Sequence, residues 1–223
     1  MKRLALETAT EICSVAWQDG DNEIVEWRTE RPNTHSERLF VYLDRLFREQ
    51  GVRPDEIDEI LISGGPGAYT GLRIGAACVK GLLFDREAPL WSLGTLASLA
   101  AGVLCRESVS GTVHAVVNAR RQHLYYQPFS VEDNVLKTEP ASVMKLEDID
   151  RRINEGDRVV GTGIRRLAAY GEPGIVFEGA AAVSARNLLL ARRGDLFREL
   201  FRKEDATTYE PDYLTSWQPA SRR

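Results

Sequence analysis

The sequence predicts an α/β protein of two lobes, each a mixed sheet flanked by helices. Three observations lead there. An opening triplet of strand-like runs is followed by alternating helical and strand patterns. A strand pattern restarts near Thr112, half way along the chain. The length, 223 residues, is enough for one large domain or two small lobes with an ample core. The lobes are expected to divide into 1–104 and 105–223.

In the first lobe, residues 3–7 and 14–18 read as strands, Asp19-Gly20-Asp21-Asn22 as a turn, and residues 23–28 as the returning strand. Thr34 and Glu37 fit a capping box that opens a helix. Leu39, Phe40, Leu43, Leu46 and Phe47 then form one broad apolar stripe, which Gly51 stops. Ile57 and residues 60–63 mark a strand, 70–84 a second helix, 89–93 a strand and 95–104 a third helix. This order is that of an RNase H-like lobe. The second helix is apolar around its whole axis, through Leu72, Ile74, Val79, Leu82, Leu83 and Phe84. Such a helix needs cover on both sides, from this chain or from a partner. Gly71, Gly75, Ala76, Ala77 and Gly81 allow another helix to come close.

The second lobe is fainter. Residues 113–117, 124–129 and 135–137 read as strands and 146–154 as a helix. Val159 and Val160 lead into the glycine turn Gly161-Thr162-Gly163. Residues 184–190 and 195–201 read as helical, and 208–214 close the pattern.

The most informative stretch is 63–75, where five glycines and a proline join the strand ending at Ser63 to the second helix. Glycine serves where the backbone needs φ > 0 or must come close to something else. A strand–glycine loop–helix junction also presents N–H groups and the positive end of a helix. Gly64, Gly65, Gly67, Thr70, Gly71 and Arg73 are therefore the candidate nucleotide- or anion-binding residues. The alternative is a tight packing joint. No lysine follows as in a P-loop, and Gly65-x-Gly67 is not completed in dinucleotide-binding spacing, which favours packing.

Composition excludes several classes. A net charge of −4 gives no general attraction to nucleic acid or membrane, although Arg222 and Arg223 form a small basic tip. Cys13, Cys78 and Cys105 have no metal-ligand spacing, and their odd number fits reduced thiols. A charge at Glu7 comes too early for a signal sequence, and no run is long enough to span a membrane. A soluble cytoplasmic protein is expected. His35, His114 and His123 include no pair four apart, so no helical His-x-x-x-His metal site exists. Ser63, Ser14 and Cys78 lack the Gly-x-Ser-x-Gly elbow and a spaced base, which argues against a peptidase.

The residues Leu6-Glu7-Thr8-Ala9-Thr10, with Cys13-Ser14-Val15-Ala16 after them, resemble a family's opening strands. His35-Ser36-Glu37-Arg38-Leu39 resembles its helix start. The run from Gly65 to Gly75 resembles its long glycine signature, Asn118-Ala119-Arg120 its Asp-Ala-Arg motif, and Glu210-Pro211-Asp212-Tyr213-Leu214 its closing motif. The chain is thus similar to the TsaB (YeaZ) family, proteins of tRNA threonylcarbamoyladenosine biosynthesis once described as glycoprotease-like. The resemblance implies the two-lobed actin-like ATPase (ASKHA) fold. It also implies a non-catalytic scaffold subunit that forms a heterodimer with a TsaD-like transferase. A TsaE-like ATPase joins the complex, tRNA is reached through it, and a homodimer forms when the subunit is alone.

On this reading the partner interface would use Leu39, Leu43, Leu46, Leu72, Ala76, Val79 and Leu83. The chain would have no cofactor of its own, and ATP or ADP with magnesium would belong to the partner interface. Actin-like ATPases carry an aspartate on the first strand of each lobe. Glu7 and Asn118 stand there instead, so Glu7, Thr8, Thr10 and Asn118 are degenerate phosphate-motif positions. The rival reading is a stand-alone actin-like ATPase or phosphotransferase, with the 64–71 loop and Thr8 or Thr10 at the phosphates.

Overall fold

The structure is a computed structural model and describes residues 1–29 and 35–214. Two six-stranded sheets organise it. Strands β1 (Lys2–Glu7), β2 (Cys13–Asp19) and β3 (Val25–Thr29) form an antiparallel meander. Helix α1 (His35–Gln50) leads to β4 (Glu59–Ser63), which lies parallel to β1. Helix α2 (Tyr69–Leu82), strand β5 (Leu90–Leu93) and helix α3 (Thr95–Leu104) complete the first half. The second half contains β6 (Val113–Asn118), β7 (His123–Glu132), β8 (Val135–Thr138), β9 (Ser142–Lys145), α4 (Leu146–Asp150), β10 (Arg158–Val160), β11 (Val176–Glu178), α5 (Arg186–Arg193) and β12 (Arg202–Glu204). The strand orders are β12-β5-β4-β1-β2-β3 and β11-β10-β6-β7-β8, with β9 also on β7.

The central strands are apolar without alternation because both faces of their sheet are covered. Leu4 and Leu6 of β1 face the cluster under α1 and α2, together with Ile60, Ile62, Trp17 and Trp27. Ala5 and Leu61 face the other way, into a core built on α3 and α5. Val113, Ala115, Val117 and Phe129 of the second sheet enter that same core, so α3 and α5 form a layer between the two sheets. A third cluster covers the outer face of the second sheet, with Val116, Leu124, Tyr126, Ile149 and Leu167.

The two halves do not separate at 104/105. Strand β12 pairs antiparallel with β5, and Asp212 N–H donates to Gly64 C=O at 2.8 Å, so the C-terminal segment belongs to the first sheet. The halves are also pinned by side chains. Arg28 donates to the carbonyls of Val183 (2.8 Å) and Ala180 (2.7 Å). Glu26 accepts from both Ser14 (2.5 Å) and Ser184 (2.6 Å). Arg186 reaches Ile24 C=O at 2.7 Å.

Other expectations needed correction. Helix α4 ends at Asp150, short of the predicted 154. Residues 195–201 contain only a 3-10 turn, Arg198–Leu200, which buries Phe197 and Phe201 on either side. Thr34 of the predicted capping box, and Arg222 and Arg223, lie outside the described residues.

Candidate functional site

The glycine loop packs closely against the rest of the chain, and several of its main-chain groups are bonded internally. Gly64 N–H donates to Leu93 C=O at 2.8 Å, and Gly65 C=O accepts from Thr95 N–H at 2.8 Å. Ala68 N–H donates to Ala9 C=O at 2.6 Å, tying α2 to the β1–β2 turn. The Gly65–Pro66 peptide is cis, and Gly65 has φ +103°. A Cβ on Gly65 would overlap the Asp212 carbonyl, and one on Gly67 would overlap the Ala9 carbonyl. Gly75 is glycine for the same reason: Thr8 Oγ1 occupies the space of a side chain there. Of the predicted anion-binding residues, Gly64, Gly65 and Gly71 are buried and Gly67 is half-buried. Thr70 and Arg73 are exposed, and Arg73 turns back to donate to Tyr69 Oη at 3.0 Å.

Of the four degenerate phosphate positions, Glu7, Thr8 and Thr10 are buried and Asn118 is exposed. Glu7 is 1% exposed, and its Oε1 accepts from Ala9 N–H at 2.7 Å. Burial pushes its carboxyl up to about 7, and hydrogen bonds from Ala9 N–H and Ser63 only partly oppose this. Thr8 is buried, and its hydroxyl has no partner among the described residues. Thr10 Oγ1 accepts from Ile12 N–H at 3.1 Å, closing the turn. In the second half, Asn118 Nδ2 donates to Thr162 C=O at 3.1 Å. Its Oδ1 accepts from Arg166 at 3.3 Å. A magnesium–nucleotide group needs carboxylate oxygens free to face the ion's water shell. Glu7 is sealed and Asn118 is neutral and bonded, so these residues do not fit such a group.

The structure places the seven predicted interface residues elsewhere than expected. Leu39, Leu43, Leu46, Leu72, Ala76, Val79 and Leu83 are all buried, and all but Leu72 belong to the cluster between the helices and the first sheet. The inward face of each amphipathic helix packs on its own sheet because that burial is available within the chain. The outward face carries other residues. Phe40 is 58% exposed, Val41 50%, Tyr69 58% and Phe84 82%. Ala77 is also exposed, and Ile74 is half-buried. Side chains of His35 and Ser36 are outside the described set.

His114 is structural. Asp157 accepts from its Nε2 at 3.0 Å, so the neutral ring's Nδ1 accepts from Tyr126 Oη at 2.9 Å. Burial lowers the pKa of His114 although Asp157 opposes it. Cys13 and Cys78 are buried with thiols pushed up to about 12, mainly by desolvation, so neither is an activated nucleophile.

A cleft of about 360 Å³ lies beside the joint, lined among others by Gly64, Pro66, Ser92, Gln127, Arg202 and Asp212. Arg202 and Asp212 were not legible as site residues, because they reach the joint only through the returning C-terminal segment. Arg166 was missed too. Its guanidinium is bonded to the carbonyls of Ala119 (3.3 Å), Arg121 and His123 (3.2 Å), and acceptors of that kind leave no mark in a sequence.

Comparison with known proteins agrees with this geometry. The family TsaD, tRNA N6-adenosine threonylcarbamoyltransferase, matches residues 30–191. The tRNA threonylcarbamoyladenosine biosynthesis protein TsaB of Escherichia coli is 31% identical over 208 residues, covering 89% of this chain and 88% of its own. TsaB of Bacillus subtilis is 27% identical, covering 72% and 69%. The solved structure of YeaZ from Pseudomonas aeruginosa superposes with a TM-score of 0.74 at 25% identity, over 96% of this chain and 99% of that one. The architecture of two mixed sheets with helices between and around them accords with these likenesses, and they lead to one assignment: the chain belongs to the TsaB (YeaZ) family of tRNA threonylcarbamoyladenosine biosynthesis proteins.

Proposed function

We propose that this chain is a non-catalytic scaffold that pairs with a TsaD-like transferase through the outward face of α1 and α2. The observation that carries this reading is the exposed apolar set on and beside these two helices. Four of the eight large apolar side chains exposed among the described residues, Phe40, Val41, Tyr69 and Phe84, lie on α1, on α2 or just beyond α2. Exposed apolar residues concentrated on two neighbouring helices mark an interaction surface better than ones scattered over the whole molecule do. The internal use of Glu7 and Asn118 supports a partner that supplies the chemistry. Any ATP or ADP with magnesium then belongs to the assembled interface, where a TsaE-like ATPase joins. The same face pairs two copies when the transferase is absent.

The test is the mass, by light scattering on a sizing column, of this protein mixed with the TsaD-like protein of the same source. A one-to-one heterodimer is expected. Phe84→Glu combined with Phe40→Glu should weaken it at least tenfold while the melting temperature stays within a few degrees of the parent. Leu72 is 1% exposed, so Leu72→Asp would unfold the lobe and is no test of an interface. A heterodimer of parental strength in the Phe40/Phe84 variant would overturn the reading of this face.

A further inference from the structure

The turn between β6 and β7 carries an isolated basic patch. Arg120 and Arg121 stand at its tip, and both are exposed. Lys145, at the end of β9, is paired in register with His123, and Leu146 N–H donates to Gln122 C=O at 3.2 Å, which brings this second segment against the turn. Arg165 precedes the Arg166 that is bonded to the turn. Arg120, Arg121, Lys145 and Arg165 are all exposed, and none has a side-chain hydrogen bond or ion pair among the described residues.

The carboxylates nearest in sequence are already engaged. Glu147 and Asp148 pair with Arg151, and Asp150 accepts the N–H groups of Ala168 and Ala169. Four exposed cations, none with an ion-pair partner among the described residues, thus stand on or beside the β6–β7 turn of a chain whose net charge is −4. The basic cluster around Arg3 and Arg192 is different, because both arginines are tied to the one buried carboxylate of Glu59, at 2.7 and 3.2 Å.

The turn is also held in shape. Arg166 bonds Asn118 Oδ1 and the carbonyls of Ala119, Arg121 and His123. Arg121 sits at φ +57°, a conformation that a non-glycine residue adopts at a cost. A turn whose main chain is already held has less backbone freedom to lose when it meets a ligand. Arginine's planar set of donors matches phosphate oxygens.

We infer that Arg120, Arg121, Lys145 and Arg165 form a phosphodiester-binding surface through which this chain itself contacts the backbone of tRNA. The inference rests on the chain's place in tRNA threonylcarbamoyladenosine formation. The charges would position the RNA without reading its sequence, since phosphates carry no base information.

The experiment measures binding of a fluorescein-labelled, unmodified tRNA transcript to the full chain by anisotropy, across a salt series, with and without the TsaD-like protein. Arg120→Gln with Arg121→Gln should weaken binding about tenfold and reduce the slope of log K against log salt by roughly 1 to 2, the effect of losing two phosphate contacts. Adding Lys145→Gln and Arg165→Gln should abolish binding by the chain alone. Both variants should form the heterodimer as the parent does, so a failure of the heterodimer strikes the proposed function and not this surface. Absence of tRNA binding by the parent at low salt would overturn the inference. So would parental affinity and slope in the four-residue variant. Equal binding of poly-glutamate would also overturn it and assign the patch to an acidic protein partner.

Discussion

Gly67→Ala and Gly65→Ala should each destabilise the protein by about 3 kcal/mol or more, enough to leave little folded material. At both positions the new Cβ meets a main-chain carbonyl, of Ala9 or of Asp212, and not the end of a flexible side chain. Moving Ala9 would break its 2.6 Å bond to Ala68 N–H and lift α2 off the β1–β2 turn. Moving Asp212 would pull the C-terminal segment from Gly64. Gly65 carries an added cost because φ +103° is hostile to any side chain. Gly81 is the control. It lies in α2 with nothing within 4 Å of a built Cβ, so Gly81→Ala should stabilise by roughly 0.5–1 kcal/mol through helix propensity. Urea midpoints of the three variants decide the matter. A Gly67→Ala protein within about 1 kcal/mol of the parent would mean that the joint is loose, and the anion-site reading of the loop would return.

The contrast between those glycines shows what the sequence could and could not tell. The junction, the meander and the helix–strand alternation of the first half were legible because each rests on local signals: period, turn residues and a glycine stop. Gly51, at φ +62°, ends α1 as its position after the apolar stripe implied. Whether the loop was a site or a joint was not legible, because Asp212 lies 147 positions from Gly65 and only the fold brings them together. Strand β12 was invisible for a related reason. Its residues Arg202, Lys203 and Glu204 are polar and alternate nothing, and they form a strand because β5 offers a free edge. The expected interface residues raise a different point. An apolar stripe identifies the residues that must be buried, and those are the ones the sheet of the same chain buries first. The apolar residues left exposed, Phe40, Val41 and Phe84, are the ones outside the stripe's centre.

Glu7 sets the second large effect, a stability that falls as pH rises. Burial pushes its folded carboxyl up to about 7, from an ordinary value of 4.5. Between those values the folded state holds a proton that the unfolded state releases. The contribution is fully present below about pH 4.5 and is lost as pH rises to 7, a change of about 3 kcal/mol. Cys13, close enough to feel the charge, stays neutral throughout because its thiol is held up to about 12. Glu7→Gln keeps an oxygen for Ala9 N–H and supplies a donor to Ser63, without a charge to bury. It should match the parent near pH 4.5 and melt roughly 6–12 °C higher at pH 8. His114 works in the opposite sense. Its pKa is lowered by burial, so as pH falls below 6.5 the unfolded state gains a proton that the folded state refuses, and stability is lost on the acid side. The parent should therefore be most stable in mildly acid solution, with an alkaline loss that Glu7→Gln removes and an acid loss that it leaves in place. Equal melting temperatures of parent and Glu7→Gln at pH 8 would show that the carboxylate is solvated after all. The β1–β2 turn would then open to water, and the case against a cation at this position would fall with it.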